Sequence, residues 1–292
     1  MSHAYSPYGT VAALKAFERI PEVGPDRLWN SVSAQQSGWL DRYVRMVPEL
    51  ARIPEIVANA TFDAQNHVDF LKKHGWEAQI KKCGQDEFLT AAVLDVLGKW
   101  LTEGREVTIS RDGREFPAAC ISRSGDRVLV RKGTNERYVH IATEAGDSVW
   151  LEPIASAPDG LALAIEAADR FREDGGTYDG EFDGVVFPMI DFSGKNEQNW
   201  LQELWTTASS GRRCKVKEAK QQVELKASHL GIRARSADEM LGDFESCMST
   251  CKPPFYIKEP FLIAITRSGL SLPLFAAHVT PDAWKDPGDF GI

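Results

Sequence analysis

Apolar residues in the first third of the chain recur at helical spacing. The clearest set, which follows Ser6-Pro7, comprises Val11, Ala12, Leu14 and Phe17. Residues three and four positions apart share one face of a helix, so this set predicts an amphipathic helix. Similar stretches surround Trp39 and Val68. The pattern predicts a mostly helical part over about 1–88.

From about residue 89 onward, short apolar runs are separated by turn residues, as in antiparallel sheets. The runs are VTIS, FPAACIS, RVLVRK, YVHIAT and SVWLEP. LTAAVLDVLGKW, which precedes them, is compact and apolar, and fits a buried strand or a helix equally well. VVFPMIDF, at 185–192, predicts one further strand. QVELKA, at 222–227, alternates apolar and polar residues as a half-buried strand does.

Two nearly unbroken apolar runs, PFLIAIT and LSLPLFAAHVT, flank Arg267-Ser268-Gly269. Unbroken apolar strands are typical of strands buried on both faces. We therefore predict adjacent, antiparallel, buried strands at 261–266 and 272–280. Helices followed by antiparallel strands indicate an α+β fold. We expect a single domain over 1–292, with a β-rich part over about 89–292.

The charge balance narrows the class of protein. The 292 residues include 34 basic and 42 acidic side chains, for a net charge of −8, which argues against a nucleic-acid partner. The sequence has no window of 18 consecutive apolar residues, so it predicts no membrane-spanning helix. The start, MSHAYSPYGT, does not resemble a signal peptide. We expect a soluble, monomeric protein in the cytoplasm, with secretion as the alternative.

Motifs that carry chemistry are absent from the sequence. It has no G-x-S-x-G, H-E-x-x-H or glycine-rich phosphate loop, so we predict no catalytic residue, metal or cofactor. The alternative is an enzyme that uses Cys247 or Cys251 as nucleophile and His229 or His278 as base. The sequence shows no helix start or basic cluster near these cysteines that would lower the thiol pKa. This disfavours the enzyme alternative.

The last part of the sequence resembles the serpin family. The matching residues in PPFYIKEPFLIAITRSGLSLPLFAAHVTP are Phe255, Pro260, Phe261, Leu262, Leu274, Phe275, Val279 and Pro281. QQVELKASHLG is similar to the serpin strand that leads into the hinge glycine, here Gly231. VVFPMIDF resembles an edge strand of the family, and LTAAVLDVLGKW resembles the strand that ends in Gly-x-Trp. The chain is shorter than most serpins, which have well over 300 residues.

This resemblance implies a serpin-like fold and inhibition of a serine protease. A serpin offers an exposed reactive loop as bait, here about 231–253, and the cut loop then inserts into a sheet as a new strand. Residues that would face inward from Gly231 are Ile232, Ala234, Ser236, Asp238 and Met240. Ile232 is larger than the family's usual residue, and a buried Asp238 would cost several kcal/mol. The alternative is a non-inhibitory serpin-fold binding or structural protein.

The family's usual loop length places the bait bond near Glu245-Ser246, and a shift of one residue would make Phe244 the bait residue. The same segment also has a helical interpretation. Ser236 and Glu239 form a capping-box pattern, and apolar residues after them recur at helical spacing.

Overall fold

The computed structural model describes most of the chain. The described residues are 1–20, 28–80, 82, 84, 87–102, 104–123, 128–132, 137–171, 177–208, 210–234 and 252–290. Together they form an α+β fold with antiparallel and mixed sheets, as the sequence predicts.

The α-helices are α1 (Pro7–Glu18), α2 (Ala34–Glu49), α3 (Ala64–Lys73) and α4 (Leu161–Arg170). Proline is favoured at the first helical position, where its missing N–H is not needed, and Pro7 starts α1 in this way. Ser33 caps α2 by accepting a hydrogen bond from the Gln36 backbone N–H at 3.2 Å. Asp63 caps α3 by accepting one from the Gln65 N–H at 2.8 Å. Both side chains satisfy donors that have no partner within the helix.

The strands, in chain order, have the following bounds: β1 (His3–Tyr5), β2 (Ile56–Thr61), β3 (Leu89–Leu94), β4 (Val96–Lys99), β5 (Gly104–Arg111), β6 (Arg114–Ser122), β7 (Val128–Lys132), β8 (Arg137–Ala142), β9 (Ser148–Pro153), β10 (Thr177–Tyr178), β11 (Gly184–Pro188), β12 (Ile190–Glu197), β13 (Trp205–Thr207), β14 (Arg213–Lys215), β15 (Lys220–Ala227), β16 (Gly231–Ala234), β17 (Phe255–Tyr256), β18 (Phe261–Thr266) and β19 (Phe275–Val279). Since β1 and β2 lie within 1–88, that part is not wholly helical.

Three sheets make up most of the architecture. Sheet 1 has seven strands in the order β1-β19-β18-β9-β8-β7-β10. Sheet 2 has the order β17-β11-β6-β5, and its β11–β17 pairing is parallel. Sheet 3 has the order β12-β15-β16-β4. β2 and β3 form a separate pair, as do β13 and β14.

The two apolar runs late in the sequence form a buried antiparallel hairpin, as predicted. β18 pairs with β19 from Phe261↔Val279 to Ile265↔Phe275, and β9 and β1 flank them in sheet 1. Phe261 is fully buried and Phe275 is 4% exposed. The connecting turn includes Gly269 at φ 79°, a conformation that glycine adopts without steric cost.

The region of the predicted strand VVFPMIDF contains two strands in different sheets. β11 ends at Pro188 and belongs to sheet 2, whereas β12 begins at Ile190 and belongs to sheet 3. Met189 joins them, and its backbone N–H donates to the Pro117 carbonyl at 2.9 Å. The segment therefore connects the two sheets.

No helix in the described part of the chain is both long and apolar enough to cross a membrane.

Candidate functional site

The candidate site centres on β16, a strand of four residues in the interior of sheet 3. It pairs antiparallel with β15 through Lys226↔Arg233 and Ala227↔Ile232. On its other side it pairs antiparallel with β4 over all four residues, from Gly231↔Lys99 to Ala234↔Val96. Gly231–Ala234 is thus a paired strand, which corrects the prediction that an exposed loop begins at Gly231.

The side chain of Ile232 faces the protein interior. It is fully buried, and Arg233, the next residue, is partly exposed. The residue opposite Ile232 in β4 is Gly98. A Cβ at Gly98 would lie 3.0 Å from Ile232 Cγ2 and 2.8 Å from Thr143 Cγ2. The bulk of Ile232, which the sequence suggested would oppose insertion, is accommodated because its partner has no side chain.

Trp100 holds the turn that leads from β15 into β16. Its indole N–H donates to the Ser228 carbonyl at 2.9 Å, and its backbone N–H donates to the Leu230 carbonyl at 3.4 Å. Within the turn, the Leu230 N–H donates to the Ser228 hydroxyl at 3.1 Å. The Ser228 N–H donates to the Gly231 carbonyl at 2.9 Å. These contacts fix the position at which β16 starts.

Beyond the short β16 pairing, sheet 3 opens into a cleft of about 1380 Å³. β15 lines one wall and β3 lines the other. In the described structure, residues 220–225 of β15 pair only with β12, and β3 pairs only with β2. Both strands therefore present an unpaired edge to the cleft, and such an edge can accept an added strand.

The floor of the cleft is formed by α1 and its polar neighbours. Gln221 of β15 accepts a hydrogen bond from the Ser6 N–H at 3.0 Å and donates to the Ser6 carbonyl at 2.8 Å. The Thr10 hydroxyl donates to Gln198 at 3.0 Å. His67 also lines the cleft, and burial lowers its pKa. The Gln221–Ser6 hydrogen bonds join β15 to the start of α1, and the Thr10–Gln198 bond joins α1 to the residue that follows β12.

Of the predicted reactive-loop residues, the structure places only those that lie in β16. Gly231 and Ile232 are buried between β15 and β4, and the backbone of Ala234 ends the strand. The remaining five, Ser236, Asp238, Phe244, Glu245 and Ser246, lie outside the described residues, as does the predicted helix of this segment. The described chain resumes before β17, where the Pro253 carbonyl accepts a hydrogen bond from Asp183 N–H at 3.1 Å.

Sequence reasoning missed a partly buried ion cluster around Arg267. Its most buried member, Asp147, is 2% exposed. The Arg267 guanidinium donates to Asp147 Oδ1 at 2.7 Å and to Glu55 Oε1 at 2.7 Å. The three residues are far apart in sequence, so no local pattern could have predicted the cluster. It joins the turn after β18 to the turn between β8 and β9 and to the chain before β2.

No group of three or more His, Cys, Asp or Glu side chains within the described ranges could hold a metal ion. His278 is 4% exposed in β19, with Nε2 3.1 Å from the Ile154 carbonyl oxygen. His278, a candidate base in the enzyme alternative, is therefore a core histidine with a hydrogen-bond partner.

Comparisons with known proteins identify the fold. No protein-family model matches the sequence, and no curated protein matches it. The structure is similar to a serpin from the trematode Schistosoma haematobium, at TM-score 0.57 and 12% identity, over 95% of this chain and 93% of that chain. It is also similar to a serpin solved as a loop C-sheet polymer, at TM-score 0.55 and 11% identity, over 96% of this chain and 89% of that chain. The chain has a serpin-like fold.

Proposed function

We propose that the protein is a serpin-like inhibitor of a serine protease, and that its bait lies within the segment of about 231–253, in the part that follows β16. The observation that carries the proposal is the placement of β16 between β15 and β4. This strand leads directly into the bait segment, so a cut bait would extend a strand that is already paired. The protein acts in this proposal as a monomeric bait, with no catalytic residue of its own.

The cleft supports the same proposal. An inserting strand needs unpaired backbone groups on both sides, and β3 and β15 offer them along the direction in which β16 would extend. Main-chain hydrogen bonds would supply the affinity of such an added strand, and alternate side chains would decide whether it fits. The burial of Ile232 determines which residues of an inserted strand would face inward, because residues two apart face the same side of a strand.

The alternation also supports a second candidate function, a non-inhibitory serpin-fold binding protein. Counting by twos from the buried Ile232 brings Ala234, Ser236 and then Asp238 to the inner side. A carboxylate buried without a partner costs several kcal/mol or must take up a proton. Asp238 would therefore oppose deep insertion, and cleavage without trapping would follow.

A gel assay with a panel of serine proteases separates the two functions. Inhibition predicts a covalent complex that survives denaturant, with the protease joined near Glu245-Ser246 or at Phe244. Asp238→Ala should increase the fraction of complex over simple cleavage, and Glu239→Ala, on the outward side, is the matched control. Cleavage by every protease without complex formation, in the parent and in Asp238→Ala, would reject inhibition.

A further inference from the structure

The residues that follow β19 cross the face of sheet 3 and reach β16. This crossing segment, 284–290, starts at the free edge of the sheet, where Trp284 forms a β-bridge with Ile190 of β12. The Lys285 N–H donates to the Met189 carbonyl at 3.1 Å. At its other end the Phe290 carbonyl accepts a hydrogen bond from the guanidinium of Arg233 in β16.

The strand register shows which face the crossing segment covers. Asp191, Lys226 and Arg233 are consecutive partners across β12, β15 and β16. All three are partly exposed, whereas the neighbouring row of Ile190, Ala227 and Ile232 is buried. Arg233 therefore points away from the core, and the crossing segment lies on the outer face.

The length of the segment fits this path. From β12 to β16 there are two strand spacings, or about 10 Å. Six residues, 285–290, reach at most about 20 Å when extended. The segment also bends, because the Gly288 N–H donates to Asp286 Oδ1 at 2.9 Å and Gly288 has φ 63°.

Both ends of the crossing segment are anchored by buried aromatic side chains. Trp284 is 2% exposed and packs edge-on against Phe116, with ring centroids 5.1 Å apart. The Arg111 guanidinium lies 5.6 Å from the centroid of the Trp284 ring. Phe290 is 6% exposed and lines the cleft together with Arg233. A loosely attached peptide would leave such a phenylalanine in solvent.

We propose that the crossing segment is a latch that holds β16 in sheet 3. A strand of four residues forms few hydrogen bonds, so by itself it would open at low free energy. The latch adds a hydrogen bond from a charged donor, which is stronger than a neutral one, and a buried aromatic ring. Because β16 leads into the bait segment, the latch controls whether the N-terminal end of the bait is held in sheet 3 or released from it.

Hydrogen–deuterium exchange of the whole protein tests the latch without any protease. A chain that ends at Asp286 keeps the Trp284 anchor and loses Phe290. Its amides in Gly231–Ala234 should exchange faster by about tenfold or more, the factor that follows from losing one charge-assisted hydrogen bond. Amides of β18 should exchange as in the parent. A chain that ends at Phe290 is the matched control and should retain the parent rates in both strands.

Two point variants cover the case in which the shortened chain does not fold. Arg233→Met keeps the aliphatic part of the side chain and removes the donor, and Phe290→Ala removes the ring. Each should accelerate exchange in β16 and leave β18 unchanged. Unchanged exchange in β16, or equal acceleration in β16 and β18, would overturn the latch. The readout does not depend on protease inhibition, so the two proposals can fail separately.

Discussion

Gly98 and Ile232 are direct partners in the pairing of β4 with β16, and the missing side chain of the glycine makes room for the isoleucine. Ile232 is fully buried in this arrangement. The pair explains how a β-branched residue can occupy the first inward position of the strand that leads into the proposed bait.

Gly98→Ala should therefore destabilise the protein. The new Cβ would lie 2.8 Å from Thr143 Cγ2 and 3.0 Å from Ile232 Cγ2, and overpacking of this kind costs about 1–3 kcal/mol. Urea denaturation would measure the change in the free energy of unfolding. In a double-mutant cycle with Ile232→Ala, the two substitutions should couple favourably, because the second removes one of the close contacts.

Gly38→Ala is the control for that experiment. Gly38 lies on the exposed side of α2, where a Cβ would meet nothing within 4 Å. Alanine is favoured over glycine inside a helix by about 0.5–1 kcal/mol, so this variant should be more stable than the parent. Equal effects of the two substitutions would contradict the contact assigned to Gly98.

His140 should make stability fall as the pH is lowered. Burial, together with the nearby charge of Arg131, lowers the pKa of His140 to about 4. The side chain packs against Trp150, with ring centroids 4.4 Å apart, and its Nε2 lies 2.9 Å from Ser148 Oγ. Below about pH 6.5 the unfolded chain binds a proton that the folded chain refuses, so the unfolded state gains stability.

The expected loss between pH 7 and pH 4 is at most about 3 kcal/mol, at 1.36 kcal/mol for each unit of pKa difference. His140→Gln should flatten this part of the curve of unfolding free energy against pH. His74→Gln, at the end of α3, is the matched control. A curve for His140→Gln that matches the parent would reject the assignment.

The Arg267 cluster should contribute stability that is lost at a lower pH. The hydrogen bond from Arg267 lowers the pKa of Glu55 below its usual range. The folded state therefore favours the ionised carboxylate, and its contribution is complete above the unfolded pKa of about 4.3. It decreases as the pH falls through that value toward the lower pKa of the folded state.

Glu55→Gln should reduce stability at pH 7 and weaken its decline below about pH 4.5. Glu144→Gln, at an exposed residue in the turn between β8 and β9, is the control. Thermal unfolding at closely spaced pH values would measure both. If Glu55→Gln and Glu144→Gln changed the curve equally, the hydrogen bond to Arg267 would have no specific role.

Local patterns in the sequence predicted the strands whose burial follows a regular pattern along the chain, either alternating or continuous. The alternation of QVELKA is observed in β15, where Val223, Leu225 and Ala227 are buried and the residues between them are partly exposed. The two apolar runs of β18 and β19 were predicted equally well, since every residue of the two strands except Thr266 is buried.

Features that depend on distant partners were not predictable from such patterns. β16 has only four residues, includes Arg233, and exists because β15 and β4 pair with it on both sides. The cleft depends on how far β3 and β15 separate, and the Arg267 cluster depends on residues that are brought together only by folding. The resemblance to serpins indicated the hinge glycine, but it did not show that the strand after Gly231 is already paired.

The pairing of β16 determines where a protease should first cut the chain. Limited proteolysis should cut first within 235–252, because Gly231–Ala234 is protected by pairing on both sides and paired segments open less readily than connecting ones. Mass mapping of the first fragments would locate the cut. A first cut inside 185–228, or within β16, would contradict this order.

The cleaved protein should not show the large thermal stabilisation that full insertion of the cut segment would produce. With Ile232 facing inward, Asp238 also faces inward in an extended strand, and burial of its charge or its protonation costs several kcal/mol. Asp238→Ala should raise the melting temperature of the cleaved protein above that of the cleaved parent. Ile232→Thr should give no such rise, because Gly98 already accommodates the isoleucine. A rise of tens of degrees in the cleaved parent would show that Asp238 does not limit insertion, as would an Asp238→Ala variant that melts at the same temperature as the parent after cleavage.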